Sequence, residues 1–353
     1  MKKLMAAVLA GLMLAGLLSG CANTANDDEV EYRWKMALNS TEGDNAYDTG
    51  VLFAQKIKEL TDGRVQVDLY GGAQLGTTAE VLEGMYAGVA DVMCESIGTL
   101  ATFTPLANIE AMPYMFSSYD HFMNVWYSDL GQEIKDAVGD DAGFKLMGVN
   151  AYSANAGWAV LLAEFLTNEA SHGPRVVCAT KELKTIADFK GFKLRAPNLE
   201  MYLKTWQWAG ANPTPVPMNE VYTALQQKTV DGQENPVVDS VNYAFDEVCN
   251  YWIKTNHVYG CNVVIMDKKY FESLPADIQK ATLEAAEFAG RAISEQQADK
   301  DAVAWQELED EGKTIIEVDN AAFAEHFKDF AATNYPAFAD WVERIAAMDP
   351  AKG

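Results

Sequence analysis

The chain has 353 residues and a mass of 38.8 kDa, more than one ordinary domain needs. Hydrophobic residues make up 49% of it, enough for a sizeable core and too many for a disordered chain. Its 51 acidic residues against 27 basic ones give a formal charge of −24. That balance argues against nucleic acid as a partner and against a polybasic membrane patch, both of which need clustered lysine and arginine.

Lys2 and Lys3 precede an apolar run from Leu4 to Leu18, followed by Leu18-Ser19-Gly20-Cys21. A charged start, an apolar run and a small-residue cleavage site predict a secretory signal over residues 1–20. The run is shorter than the roughly 20 apolar residues of a permanent span. Its end reads as a lipobox, which would make Cys21 the lipid-modified first residue and a membrane anchor; the alternative is an ordinary signal with a chance cysteine. Cleavage would remove Lys2 and Lys3, leaving 25 basic against 51 acidic residues and a charge of −26. Residues 21–29 then read as a polar tether.

Beyond the tether, Val30, Tyr32, Trp34, Met36 and Leu38 alternate with less apolar residues, which predicts a strand. Phe53, Ile57 and Leu60 recur at helical spacing, and Asp62-Gly63 stops that helix. Val65, Val67 and Leu69 alternate again, Thr78 to Ala87 reads as a helix, and Ala90 to Cys94 as a short buried strand. Strands alternating with helices predict a largely parallel sheet, whose ligands sit beyond the carboxyl ends of the strands. Asn39 and Glu95 would lie at those ends.

Residues 151–174 are irregular, and a second block of the same kind follows. Val176 to Ala179 is a short apolar run, and Phe192-Lys193-Leu194-Arg195 a strand stopped by Pro197. Asn219 to Gln227 reads as a helix capped by Asn219, and Trp206 and Trp208 as core residues on another helix. After the Asp231-Gly232 turn, Asn235 and Pro236 fit the N-cap and first position of a helix carrying Val237, Val241 and Phe245. Pro275 to Gly312 has no interior proline and many helix formers. Some 36 helical residues would span about 54 Å, a strut crossing two domains; two helices broken near Gly290 are the alternative.

Catalytic and metal motifs do not emerge. There is no GxSxG, GxGxxG, Walker loop, HExxH or CxxC, and the four histidines form no ligand spacing. Carboxylates are too abundant for a catalytic pair to stand out. Cys249 and Cys261 are close enough in sequence for a disulfide, although Cys94, Cys178, Cys249 and Cys261 read first as buried small hydrophobes. No cofactor is expected.

Arginine is scarce, six residues against 21 lysines, and Arg195 stands at the carboxyl end of its strand on the face shared with Lys193. A guanidinium there could grip a carboxylate through two parallel hydrogen bonds; a solvated surface arginine is the plain alternative. Three ordered motifs sharpen the choice: Lys190-Gly-Phe-Lys-Leu-Arg-Ala-Pro197, Gly210-Ala-Asn-Pro-Thr-Pro-Val-Pro-Met-Asn-Glu-Val-Tyr222 and Asp231-Gly-Gln-Glu-Asn-Pro236. With Gly72-Ala-Gln-Leu-Gly76 and the long helix, they resemble the DctP-like solute-binding proteins of TRAP transporters over essentially the whole chain beyond the signal.

The resemblance implies a two-domain periplasmic-binding-protein-like α/β fold, tied by a helix spanning both domains and closing over an organic acid. Residues 30–172 with 261–300 would form domain I, and 173–260 with 301–353 domain II. Arg195 would hold the ligand carboxylate, with Arg175, Asn235 and Asn39 matching further site positions. Plainer roles stay open for these three: neutralising nearby acid, capping a helix and forming a turn. Glu95 would accept hydrogen bonds from ligand hydroxyls or simply be exposed, and Met218 stands where an aromatic often covers the ligand. Sialic-acid binders have an arginine soon after the Glu95 position, which Ser96-Ile97-Gly98 lacks, and residues 157–172 are longer than usual. The implied function is a lipid-anchored extracytoplasmic receptor, not an enzyme, that hands a small organic acid to TRAP membrane permease subunits. A receptor of an ATP-driven importer and an extracytoplasmic hydrolase are the alternatives.

Overall fold

The computed structural model describes residues 30–151 and 175–352. The predicted signal, Cys21, the tether and the 157–172 stretch lie outside the described residues.

Four strands come first: β1 (Tyr32–Ala37), β2 (Val65–Tyr70), β3 (Val92–Ser96) and β4 (Phe144–Ala151). Five follow in a second group: β5 (Val176–Ala179), β6 (Lys193–Ala196), β7 (Asn212–Pro215), β8 (Gly232–Asn235) and β9 (Tyr251–Lys254). The chain then returns to the first group as β10 (Cys261–Asp267) and contributes β11 (Thr314–Glu317) to the second. The sheet orders are β2-β1-β3-β10-β4 and β11-β9-β5-β8-β6-β7, one for each lobe.

Both sheets are covered on both faces. Along β10 successive side chains enter opposite cores, Val263 and Ile265 one and Val264 and Met266 the other. The second sheet sends Val177 and Ile253 one way and Cys178 and Trp252 the other. A strand covered on both faces reads as a continuous apolar run, as Cys261–Asp267 does.

The sheets are mixed, not largely parallel. β5 runs antiparallel to β8 and β9, and β10 antiparallel to β3 and β4, while the other pairings are parallel. These reversed strands are the ones the chain enters from a strand of the other lobe, whereas β11, reached through a long helix, runs parallel to β9. Val176 at the start of β5 pairs with Asn235 at the end of β8, and Asn262 near the start of β10 with Ser96 at the end of β3. A strand entered at the carboxyl edge of its neighbours has to run back along them.

Five helices bear on the site: α1 (Asn45–Leu60), α2 (Thr78–Met85), α3 (Glu200–Trp208), α4 (Val237–Asn242) and α5 (Ala276–Asp310). Helix α5 has 35 residues and spans about 52 Å without a break at Gly290. Its first half packs Ala281, Ala285, Ala286 and Ala289 on the first lobe; Ala304, Trp305 and Leu308 pack on the second. The C-terminal segment returns to the first lobe, where Ile345 joins the core and its carbonyl meets His121 Nε2 at 2.7 Å.

Gly290 and Gly148 let helix and strand approach. A Cβ on Gly290 would collide with the Val149 carbonyl, and one on Gly148, at φ +59°, with the Ala286 carbonyl. The glycine that suggested a helix break is thus a contact point between α5 and β4. Gly290→Ala should cost about 1–3 kcal/mol of stability through overpacking, measured as a lower denaturant midpoint.

Candidate ligand-binding site

The strand directions place the site. Asn39 follows β1, Glu95 lies near the end of β3, Arg195 one residue from the end of β6 and Asn235 at the end of β8. Arg175 immediately precedes the reversed β5, so the start of that strand reaches the same cleft as the ends of the others. A cavity of about 270 Å³ opens between the lobes, and Asn39, Glu95, Arg175, Arg195, Met218 and Asn235 all line it. The structure brings together every site residue singled out from the described part of the sequence.

The two arginines differ in their surroundings. Arg175 is buried and forked onto Glu234, with Nε donating to Oε2 at 2.6 Å and Nη2 to Oε1 at 2.9 Å. Nη2 also donates to the Asn235 side-chain oxygen at 2.7 Å, and the guanidinium lies over the Tyr202 ring. Glu234 meets His257 Nε2 at 3.1 Å, and His257 Nδ1 meets the Thr255 hydroxyl at 2.8 Å. Burial works to raise the Glu234 carboxyl, but Arg175 and His257 outweigh it and hold it down at about 2. Arg175 therefore does neutralise a local acid while also lining the cavity.

Arg195 has no such partner. It is 3% exposed, and its Nε donates to the Val216 carbonyl at 2.9 Å. Nη1 and Nη2 have no hydrogen-bond partner among the described residues. Burial, with Arg175 nearby, lowers its pKa to about 10 against the pull of Glu234, which leaves it cationic at neutral pH. A buried, charged fork with two nitrogens unmatched is built to receive a bidentate anion.

Asn235 is not a helix cap. It ends β8, Pro236 takes the N-cap position of α4, and no side chain caps that helix. Strand pairing with Val176 and the bond from Arg175 hold the asparagine instead. Its Nδ2 donates to Gln233 Oε1 at 2.8 Å and faces Met218 Sδ at 3.5 Å, so Met218 closes this corner of the cavity. Asn219 is not a cap either, because Met218–Glu220 forms a 3₁₀ turn before the helix at Val221–Gln226.

The first lobe supplies polar groups. Asn39 is oriented to accept from Thr78 N at 2.6 Å and donate to the Gly76 carbonyl at 3.2 Å. The Gly72–Gly76 segment, with Gly72, Ala73 and Gly76 at positive φ, wraps this asparagine. Glu95 is half-buried rather than exposed and accepts from Thr78 Oγ1 at 3.1 Å and Ser96 N at 3.0 Å. Burial raises its pKa to about 7, Asp44 and Glu110 adding to the rise against those hydrogen bonds.

Glu234, Asp44, Asp239, Tyr202 and Tyr243 escaped sequence reasoning. Glu234 stands beside Asn235 in a motif read as a turn, and its burial in β8 has no trace in residue type. Asp44 caps α1 and Asp239 lies in the first turn of α4, positions shared by many solvated acids. The proposed cysteine pair does not form: all four described cysteines are free, and Cys249 lies beside Cys178 in one core while Cys261 lies in another. Trp206 is core as expected, whereas Trp208 is partly exposed and donates to the His326 carbonyl at 3.0 Å. No cluster of His, Cys, Asp or Glu among the described residues could hold a metal ion.

The family model for bacterial extracellular solute-binding proteins, family 7 (DctP), matches residues 36–339. The chain belongs to this family. The sialic acid-binding periplasmic protein SiaP of Vibrio cholerae is 29% identical over 269 residues, 75% of this chain and 78% of its own. A solute-binding protein of Verminephrobacter eiseniae is 31% identical over 303 residues, 86% of this chain and 83% of its own. Among solved structures, a TRAP periplasmic solute-binding protein of Roseobacter denitrificans with bound L-galactonate is 28% identical. It covers 90% of this chain and 99% of its own, with a TM-score of 0.78. These relatives of the DctP-family chain are solute-binding proteins rather than enzymes.

Two carboxylates of this DctP-family site, the buried Glu234 behind Arg175 and the half-buried Glu95, give opposite pH dependences. The folded value of Glu234 lies below its ordinary 4.5, so its stabilisation is present above pH 4.5 and fades as pH falls toward about 2. Glu234→Gln should lose about 3–5 kcal/mol at pH 7, through an unpaired buried Arg175, and the gap to wild type should close over that window. Glu95 behaves conversely: its penalty is absent below pH 4.5 and complete above about 7. Glu95→Gln should therefore leave stability at pH 4 unchanged and raise it at pH 8 by about 1–3 kcal/mol, read from denaturant titrations of ligand-free protein.

Proposed function

We propose that the protein is the extracytoplasmic receptor of a TRAP transporter, capturing a small hydroxylated organic acid by cleft closure and delivering it to the membrane permease. The observation that carries this reading is the buried, charged Arg195 fork with two unmatched nitrogens at a cavity lined from both lobes. Arg195 holds the ligand carboxylate, while Asn235 and Asn39 orient the ligand from opposite lobes. Arg175 fixes Asn235 and adds what positive potential Glu234 leaves. Glu95 accepts from ligand hydroxyls, and Met218 covers the ligand beside Asn235.

The first lobe, with the C-terminal segment that packs on it through Ile345, moves as one unit against the second. A ligand that contacts both units only when they are closed shifts the equilibrium by that difference in contacts. The acid bound by the R. denitrificans relative, L-galactonate, supports a sugar-acid-sized ligand. Sialic acid suits this site less well: Gly98 stands near the arginine position of sialic-acid binders, and a Cβ on it would lie 3.1 Å from Glu110 Oε2. Cleavage before Cys21 and its lipid modification tether the receptor to the membrane, on the strength of the sequence over 1–21.

A thermal-shift screen against mono-, di- and sugar acids tests the reading. A hit at 100 times its Kd should add about 2.7 kcal/mol to stability. Arg195→Ala should weaken the best hit at least a hundredfold, and an affinity within a few-fold of wild type would sink the carboxylate clamp. Cys21→Ala should move the protein from the membrane to the soluble fraction of its host; unchanged membrane association refutes the anchor.

A further inference from the structure

Three carboxylates line the cavity: Asp44 at the start of α1, Glu95 on β3 and Asp239 on α4. Asp44 accepts from Ala46 N at 2.8 Å, and Glu95 from Thr78 and Ser96. Asp239 has neither a hydrogen bond nor an ion pair for its carboxylate among the described residues. The three are electrostatic neighbours, Asp44 acting on both Glu95 and Asp239, and burial holds all of them above their ordinary range.

The surrounding groups do not neutralise them. Lys300 draws Asp239 down but is bonded to Asp48 at 2.7 Å and reaches the Gly43 carbonyl, while Asp301 and Glu110 add negative charge behind Asp239 and Glu95. Arg175 draws Asp239 down but is itself forked onto Glu234. Arg195 has Glu234, Arg175, Tyr243 and Tyr202 as its principal neighbours. Tyr243 has Asp44, Asp239, Glu95 and Arg195 around it and so stands between two poles. One pole is a buried guanidinium with two unpartnered nitrogens; the other is a group of three acids.

We propose that the ligand is zwitterionic: its carboxylate sits on Arg195 and an ammonium group elsewhere on the molecule sits among Asp44, Glu95 and Asp239. This rests on the reading of the cavity as a carboxylate receptor and narrows its ligand class. A hydroxyl adds one hydrogen bond to this pole and no charge, so it does not favour the ionised form of the acids. An ammonium brings three donors and the missing charge in one group. A cation entering beside these acids favours their ionised forms, so its binding releases protons near neutral pH.

Isothermal titration at pH 7 with ω-amino acids of four to six carbons, their ω-hydroxy counterparts and L-galactonate tests this, in two buffers of different ionisation heat. The best-fitting amino acid should bind at least tenfold tighter than its hydroxy counterpart and release protons. Asp239→Asn should reduce that preference to less than threefold. Equal or tighter binding of the hydroxy acids or L-galactonate, lost in Arg195→Ala, overturns the zwitterion and leaves the acid receptor standing. Binding by none of these acids overturns both.

Discussion

The site depends on a buried cation without a full set of partners. Arg195 is withdrawn from water, its charge persists, and the protein satisfies only its Nε. Desolvating a guanidinium is costly unless an anion compensates it, and the fold leaves that compensation to whatever enters the cleft. The arrangement works because the neighbouring guanidinium is already matched. Glu234 takes Arg175 in a fork, and His257 and the Asn235 side chain complete the set. Without Glu234, two uncompensated arginines would face each other and both would be less stable as cations.

Chain topology brings this chemistry to one place. The passages into β5 and β10 end at the carboxyl edge of a sheet, so these two strands start in the cleft and run away from it. This adds strand beginnings, with Arg175 and Asn262, to the strand ends that carry Asn39, Glu95, Arg195 and Asn235. Behind the cleft, α5 touches both cores through different faces of one continuous helix. Its alanines and Gly290 give close, smooth packing on the first lobe, and Trp305 and Leu308 a bulkier contact on the second. The second-lobe contact also faces a groove beside α4, lined by Val238, Val241 and Val303.

Much of the fold was legible because it is periodic. The alternation at Tyr32–Ala37, the helical spacing to Leu60 and the uninterrupted stretch after Pro275 each match an observed element within a few residues. Direction was not legible, since an alternating strand reads the same in either sense, and the reversal of β5 and β10 follows only from the crossings. Asn235 shows the same limit at one residue: Asn-Pro is a good start for a helix, yet a strand partner and Arg175 fix it as a strand end. In the site, the rare arginines stood out. Glu234, Asp44 and Asp239 did not, because 51 acidic residues hide the few that are buried.

The excess of acid, which argued against nucleic acid, bears differently on the cleft. Surface charge is screened beyond about 8 Å at physiological salt, so −24 on the whole chain does not by itself repel an anion from Arg195. The acids inside the cavity are not screened in this way. A ligand with a second carboxylate would set it against Asp44, Glu95 and Asp239 in a confined, poorly hydrated space, where like charges are strongly disfavoured. On the proposed reading, the same three residues that accept an ammonium group also exclude dicarboxylates, and Arg195 excludes amines that lack an acid. Selectivity then comes from two opposed charges held in one cavity, each of which rejects what the other alone would bind.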